Sequence, residues 1–187
     1  MTTLNFSYLS QENVQNRHGK AETRDNEREA EQGLLMKTRV TLTPGLPLYR
    51  FASSDNPNAW FISPWWVGYS PFEALKEYAR VEHLPLGLAA RECLAILPEW
   101  SRCDRLVRAS VRQPLIAWVG TPKTQRVKDK NTQRYGARWE PDRRVTQLYI
   151  PGLSQKSEGS AQQIWQVALY VSDPEPIVST SVDARKK

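Results

Sequence analysis

Trp65-Trp66-Val67-Gly68-Tyr69-Ser70-Pro71-Phe72-Glu73-Ala74-Leu75-Lys76-Glu77-Tyr78-Ala79 sets a strand directly against a helix. The opening residues are aromatic and β-branched, types that suit a pleated, half-buried surface. Ser70 then offers an N-cap oxygen and Pro71 stands at the first helical position. Glu73, three residues after Ser70, completes a capping-box pattern. Phe72, Ala74, Leu75, Tyr78 and Ala79 recur at helical spacing and form one apolar face. The spacing predicts a short strand that turns through Ser-Pro into a helix.

Working outward, Arg39–Leu42 and Leu48–Ala52 read as strands punctuated by Pro44-Gly45 and Pro47. Residues 53–58 have the chemistry of a loop. Residues 60–62 favour strand up to Pro64. Downstream, Leu86–Leu97 reads as a second helix ended by Pro98. Leu106–Val111 and Leu115–Val119 are strand candidates around Pro114. Val145–Ile150 is a late strand, 154–162 a polar loop, and Ile164–Val171 the last core strand. Strands and helices that do not alternate as regular βαβ units predict an α+β fold with mixed, mainly antiparallel sheets and two or more helices.

A chain of 187 residues suits one domain. Residues 1–33 are expected to be a mobile or loosely docked arm, because 11–33 are polar, mixed in charge and poor in apolar side chains. Residues 34–172 form the predicted globular domain and 173–187 a polar tail. Cys93 and Cys103 have neither metal-ligand nor disulfide-framework spacing, so a reducing, cytoplasmic setting is expected. No apolar run is long enough for a membrane helix and no export leader is visible, although secretion as an effector by a signal-independent route is compatible with this. His18 and His83 stand alone, so no metal site is expected. The glycines form no phosphate-cradling loop.

The net charge of +6 favours acidic partners. It concentrates between residues 123 and 144, where Lys123, Arg126, Arg134, Arg138, Arg143 and Arg144 flank Trp139. Cations interleaved with aromatic rings are what single-stranded nucleic acid binding uses. This segment supports one reading of the chain: a non-enzymatic binder of nucleic acid or of an acidic protein. It is equally a solvated loop.

Three segments in order support another reading. They are Leu48-Tyr49-Arg50-Phe51, the Trp65–Ala79 stretch, and Gln147-Leu148-Tyr149-Ile150-Pro151. Together they resemble the mono-ADP-ribosyltransferase superfamily, including its NAD-consuming RES-domain branch. The resemblance implies an ADP-ribosyltransferase-like fold and an enzyme that transfers ADP-ribose from NAD or degrades it. The substrate would be NAD, with no metal, and the partners a macromolecular target or an inhibitor protein. Arg50 would hold the pyrophosphate through its donor fork. Trp66 and Tyr69 would border the nicotinamide, Tyr78 would join them in binding NAD, and Glu77, in the place of the helix glutamate, would hold the ribose. In the arginine–serine–glutamate branch Ser63 would stand for the first serine. Gln147 would stand where a catalytic glutamate precedes a proline by four residues. Gln147 can hydrogen-bond a ribose hydroxyl but carries no charge. Apart from the resemblance, Arg50 is equally a salt-bridged surface arginine, Glu77 an exposed helix residue, and the Trp pair core.

Overall fold

A computed structural model describes residues 28, 30–57, 60, 63–128, 135–141, 145–151, 153 and 168–177. The strands are β1 (Leu34–Leu42), β2 (Pro47–Ala52), β3 (Trp65–Gly68), β4 (Arg105–Val111), β5 (Leu115–Pro122), β6 (Gln125–Lys128), β7 (Tyr135–Trp139), β8 (Gln147–Tyr149), β9 (Leu169–Val171) and β10 (Glu175–Pro176). Among the described residues two helices have defined bounds, α1 (Tyr69–Val81) and α2 (Leu86–Leu94), both between β3 and β4. Eight strands join one sheet in the order β1-β5-β8-β3-β2-β4-β10, with β9 also on β4; β6 and β7 form a separate hairpin. The sheet's pairings are antiparallel, and the fold is α+β as expected.

β3 is the hinge of this arrangement. Its first half pairs with β8 (Trp65 with Tyr149, Trp66 with Leu148). Its second half pairs with β2 (Val67 with Tyr49, Gly68 with Leu48). A four-residue strand thus changes partner midway and joins two half-sheets. Trp66, Leu48, Leu148, Val107 and Ala117 share one buried cluster. On the other side Tyr49, Phe51 and Val67 pack with Phe72 and Leu75 of α1 and Ala90, Cys93 and Leu94 of α2. Tyr49 lies flat on Phe72, with ring centroids 3.9 Å apart and planes 7° from parallel.

The strand-to-helix junction is tighter than the capping-box pattern predicts. Gly68, in extended conformation, is the N-cap; the helix begins at Tyr69 and no side chain caps it. Glu73 pairs with Lys76 instead. The reason is continuity: β3 runs into α1 without a linker, which leaves Ser70 inside the first turn. α2 also ends earlier than Pro98 suggests, because Ala95 takes the left-handed conformation. Gly87 is required where α2 crosses the chain before β4; a Cβ there would meet the Cys103 carbonyl oxygen at 2.2 Å.

Packed structure begins slightly before residue 34. Residues 30–33 are helical, and Ala30 is fully buried against Leu34, Ile116, Trp118 and Tyr149. The arm over 1–27 and residue 29 lies outside the described residues. The polar tail is anchored at its start: β10 pairs with β4, Arg108 meets Glu175 at 3.1 Å, and Ile177 N–H donates to the Asp104 carbonyl at 3.0 Å. The predicted polar loop 154–162 and most of the predicted strand 164–171 lie outside the described residues. Among the described residues no helix is long and apolar enough to cross a membrane.

Candidate functional site

A cavity of about 510 Å³ opens where β3 changes partner. Pairing with β3 stops at Tyr49 on β2 and at Leu148 on β8, so the neighbouring residues Arg50 and Gln147 lie where the sheet parts. Both line the cavity, as do Ser63 and Pro64 from the chain entering β3. Trp65, Val67 and Tyr149 form its aromatic and apolar floor. Gly33, Pro122, Lys123 and Gln125 bound one end. Leu94, the last residue of α2, and Ala95, Ile96, Trp100 and Ser101 from the turn after it bound another.

Arg50 is half-buried and donates through Nη1 to the Trp60 carbonyl. Burial pushes its guanidinium down from 12.5 to about 10; nearby Cys103 acts weakly in the opposite sense. At neutral pH it remains a cation, held in a poorly hydrated place. Ser63 Oγ accepts the Trp65 N–H at 3.2 Å, and the Ser63 carbonyl accepts the Trp66 indole N–H at 2.9 Å. These bonds fix the short approach to β3. Gln147 is buried, with 8% exposure, and pairs with Gly120 of β5. Gly120 permits the close approach of β1 on its other side: a Cβ there would fall 2.6 Å from the Leu35 carbonyl oxygen, where β1 bulges. Trp65 meets Tyr149 edge-on, with centroids 5.0 Å apart. Its ring also lies over Gly33, where an added Cβ would sit 2.2 Å from the indole. Among the described lining residues the charged groups are Arg50 and Lys123, and none is a carboxylate. The cavity is therefore suited to an anion flanked by flat rings.

The expected residues divide sharply. Arg50, Ser63, Gln147 and Lys123 come together here. Glu77 does not: it is exposed on α1 and forms an i,i+3 pair with Arg80 at 2.6 Å, which pulls its carboxyl below the usual range. Two turns of helix carry it away from the sheet opening. Trp66 is 1% exposed and packs in the core on the side opposite Trp65. Alternation along β3 makes its neighbour the cavity residue. Tyr69 is exposed at the start of α1. Tyr78 joins the helices by donating to Glu92 at 3.1 Å; burial and that bond raise its phenol to about 12. None of these four lines the cavity.

The basic segment does not form one surface among the described residues. Lys123 faces the cavity, with Nζ donating to the Glu31 carbonyl. Arg126 is exposed opposite Arg138 on the β6–β7 hairpin, and Arg138 pairs with Glu140 at 2.8 Å. The Trp139 indole N–H donates to the Arg91 carbonyl at 2.8 Å, which docks its ring on the end of α2. Arg134, Arg143 and Arg144 lie outside the described residues. Among the described residues no group of three His, Cys, Asp or Glu could hold a metal.

Trp65, Tyr149 and Trp100 are cavity residues that the sequence reading missed. For Trp65 and Tyr149 the signal is strand parity, which pairs them with Val67 and Gln147. For Trp100 it is an apolar ring between Glu99 and Ser101, in a turn that offers it no core.

No protein-family model matches the sequence, and no curated protein matches it. Two solved structures are similar to the chain. One is described as Rhs1-CT in complex with its cognate immunity protein RhsI1; it is 15% identical with a TM-score of 0.45, over 78% of this chain and 85% of that one. The other is described as Tne2 in complex with Tni2; it is 12% identical with a TM-score of 0.46, over 78% of this chain and 98% of that one.

Proposed function

We propose that the cavity binds NAD and that the protein cleaves its nicotinamide–ribose bond, as an NAD glycohydrolase or an ADP-ribosyltransferase. The observation that carries this reading is the meeting of Arg50, Ser63 and Gln147, from three separate segments, on one cavity with aromatic walls. It favours the arginine–serine–glutamate pattern over the RES-type reading, whose Glu77 and Trp66 lie elsewhere.

In this reading Arg50 binds the pyrophosphate, and its partial desolvation strengthens that contact. Ser63 Oγ accepts a backbone N–H and so retains its own proton to donate. The Gln147 amide oxygen accepts a ribose hydroxyl and orients the sugar. The nicotinamide lies against Trp65 and Tyr149. The bond from ribose C1′ to the pyridinium nitrogen breaks, and its electron pair leaves with the nicotinamide, which becomes neutral. Water, or a nucleophile of a target, then bonds to C1′ and loses a proton. Gln147 aligns the ribose by a dipole and not a charge, so catalysis relies on positioning and on the good leaving group. An inhibitor protein would act most directly by filling the cavity mouth.

The test is to incubate the protein with NAD and follow nicotinamide release by chromatography. Release is expected from the wild type and loss of release from Arg50→Ala, while Gln147→Ala should lower kcat. A wild-type protein that neither binds nor consumes NAD would end this reading.

A further inference from the structure

We infer that Trp100 is the stacking platform for the adenine half of the dinucleotide. The inference rests on the NAD reading. Trp100 lines the cavity yet leaves 60% of its surface exposed. An exposed tryptophan is usually a ring on a loose loop, but this turn is braced. Trp100 N–H donates to the Leu97 carbonyl at 2.9 Å. The Arg91 guanidinium donates to the Ser101 carbonyl at 3.1 and 2.7 Å and to the Pro98 carbonyl at 3.4 Å. The Arg91 carbonyl in turn accepts the N–H of Ile96 at 3.1 Å and the indole N–H of Trp139 at 2.8 Å. One arginine thus ties both ends of the turn to α2. The turn that carries the ring is held at the cavity wall while the ring itself is not packed away, which is how a preorganised contact surface is made.

Its place along the cavity selects the adenine. In the sheet order, Gln147 on β8 and Arg50 on β2 lie on opposite sides of β3. α2 packs on the sheet face that carries Tyr49, Phe51 and Val67, in a cluster that also includes Val145. The wall from Leu94 to Ser101 is a part of the cavity lining distinct from Trp65 and Tyr149. With the nicotinamide against Trp65 and Tyr149, Trp100 is the exposed ring left on the cavity wall for the adenine. A purine offers a flat π-face to an indole, and Leu94 and Ile96 supply an apolar flank.

The test compares NAD with nicotinamide mononucleotide, which keeps the scissile bond but lacks the adenylate half. Base stacking on an aromatic ring implies that Trp100→Ala raises KM for NAD roughly 5- to 150-fold. Kinetics on the mononucleotide should not change, and Trp100→Phe should recover most of the loss. ADP should compete with NAD on the wild type, a measurement that requires no variant. An unchanged KM for NAD in Trp100→Ala, equal damage to both substrates, or no competition by ADP would overturn the assignment while leaving NAD cleavage standing. A wild type inert toward NAD would overturn the underlying reading, and that result is seen before any variant is made.

Discussion

Replacing Arg50 by Met should leave the protein at least as stable as the wild type while removing NAD binding. The guanidinium is pushed from 12.5 to about 10, chiefly by burial. A fall of that size corresponds to about 3 kcal/mol of bias against the charged form in the folded state. The sign follows from linkage. The folded value lies below the unfolded one, so the unfolded chain holds the proton more tightly; this opposes folding below about pH 10 and is relieved as the pH rises toward the unfolded value. Met keeps a similar unbranched stem and carries no charge. The substitution also removes the polar contacts of Arg50, the donor to the Trp60 carbonyl among them, a loss of about 1–3 kcal/mol if water cannot replace them. The two effects offset to a net change between zero and a gain of about 2 kcal/mol. Urea unfolding at neutral pH measures it, and the advantage of Arg50→Met over the wild type should shrink as the pH rises beyond about 10. A loss of more than about 2 kcal/mol would mean that Arg50 is a structural ion and would refute the reasoning.

Three further outcomes can be checked. Gly33→Ala should cost about 1–3 kcal/mol in urea unfolding and shift tryptophan fluorescence, because its Cβ would meet the Trp65 ring at 2.2 Å. Asp104 accepts the N–H and hydroxyl of Ser54 at 2.7 and 2.6 Å; burial raises its carboxyl, but these bonds and Arg105 and Arg102 outweigh that and lower it. Its stabilising contribution is therefore complete above the ordinary carboxylate value of about 3.9 and lost as pH falls through the folded value, so the deficit of Asp104→Asn in thermal unfolding should be present at pH 7 and fade below about pH 3.9. Glu77→Gln should leave nicotinamide release unchanged, since the residue faces solvent with Arg80; a marked fall in kcat would place it in the site after all.

The elements were largely legible because local chemistry and tertiary packing agree. The Trp65–Ala79 pattern gives a strand and a helix of nearly the observed lengths, and the runs around Pro114 give β4 and β5. Legibility failed where long-range contacts decide. Arg39 to Leu42 follow a strand pattern, but β1 reaches back to Leu34 because Pro122 and Thr121 offer partners across the sheet. The capping box at Ser70 is lost to a continuous strand-helix junction. The site was legible as a set of residue types and not as a set of positions. Arg50 within β2, Ser63 just before β3 and Gln147 at the start of β8 carry polar groups, and all three line the cavity. Glu77 matched a motif, but a motif does not specify which way a helix turns its face. Trp66 and Trp65 differ only in parity, which the sequence does not assign until the partner strands are known.

The double partnership of β3 also orders the events of synthesis. β2, α1, α2 and β4 come from a continuous stretch ending at Val111, so that half can pack early as the chain emerges. The remaining half cannot close until Tyr149 has been made to meet Trp65, and until Pro122 has reached back to Leu34. Contacts so distant along the chain form slowly, because loop closure precedes their reward. Gln147 arrives with this late half, whereas Arg50 and Trp100 belong to the early one. A growing chain therefore passes through a partly folded stage with no assembled cavity, and the cavity is complete only when most of the chain has been translated.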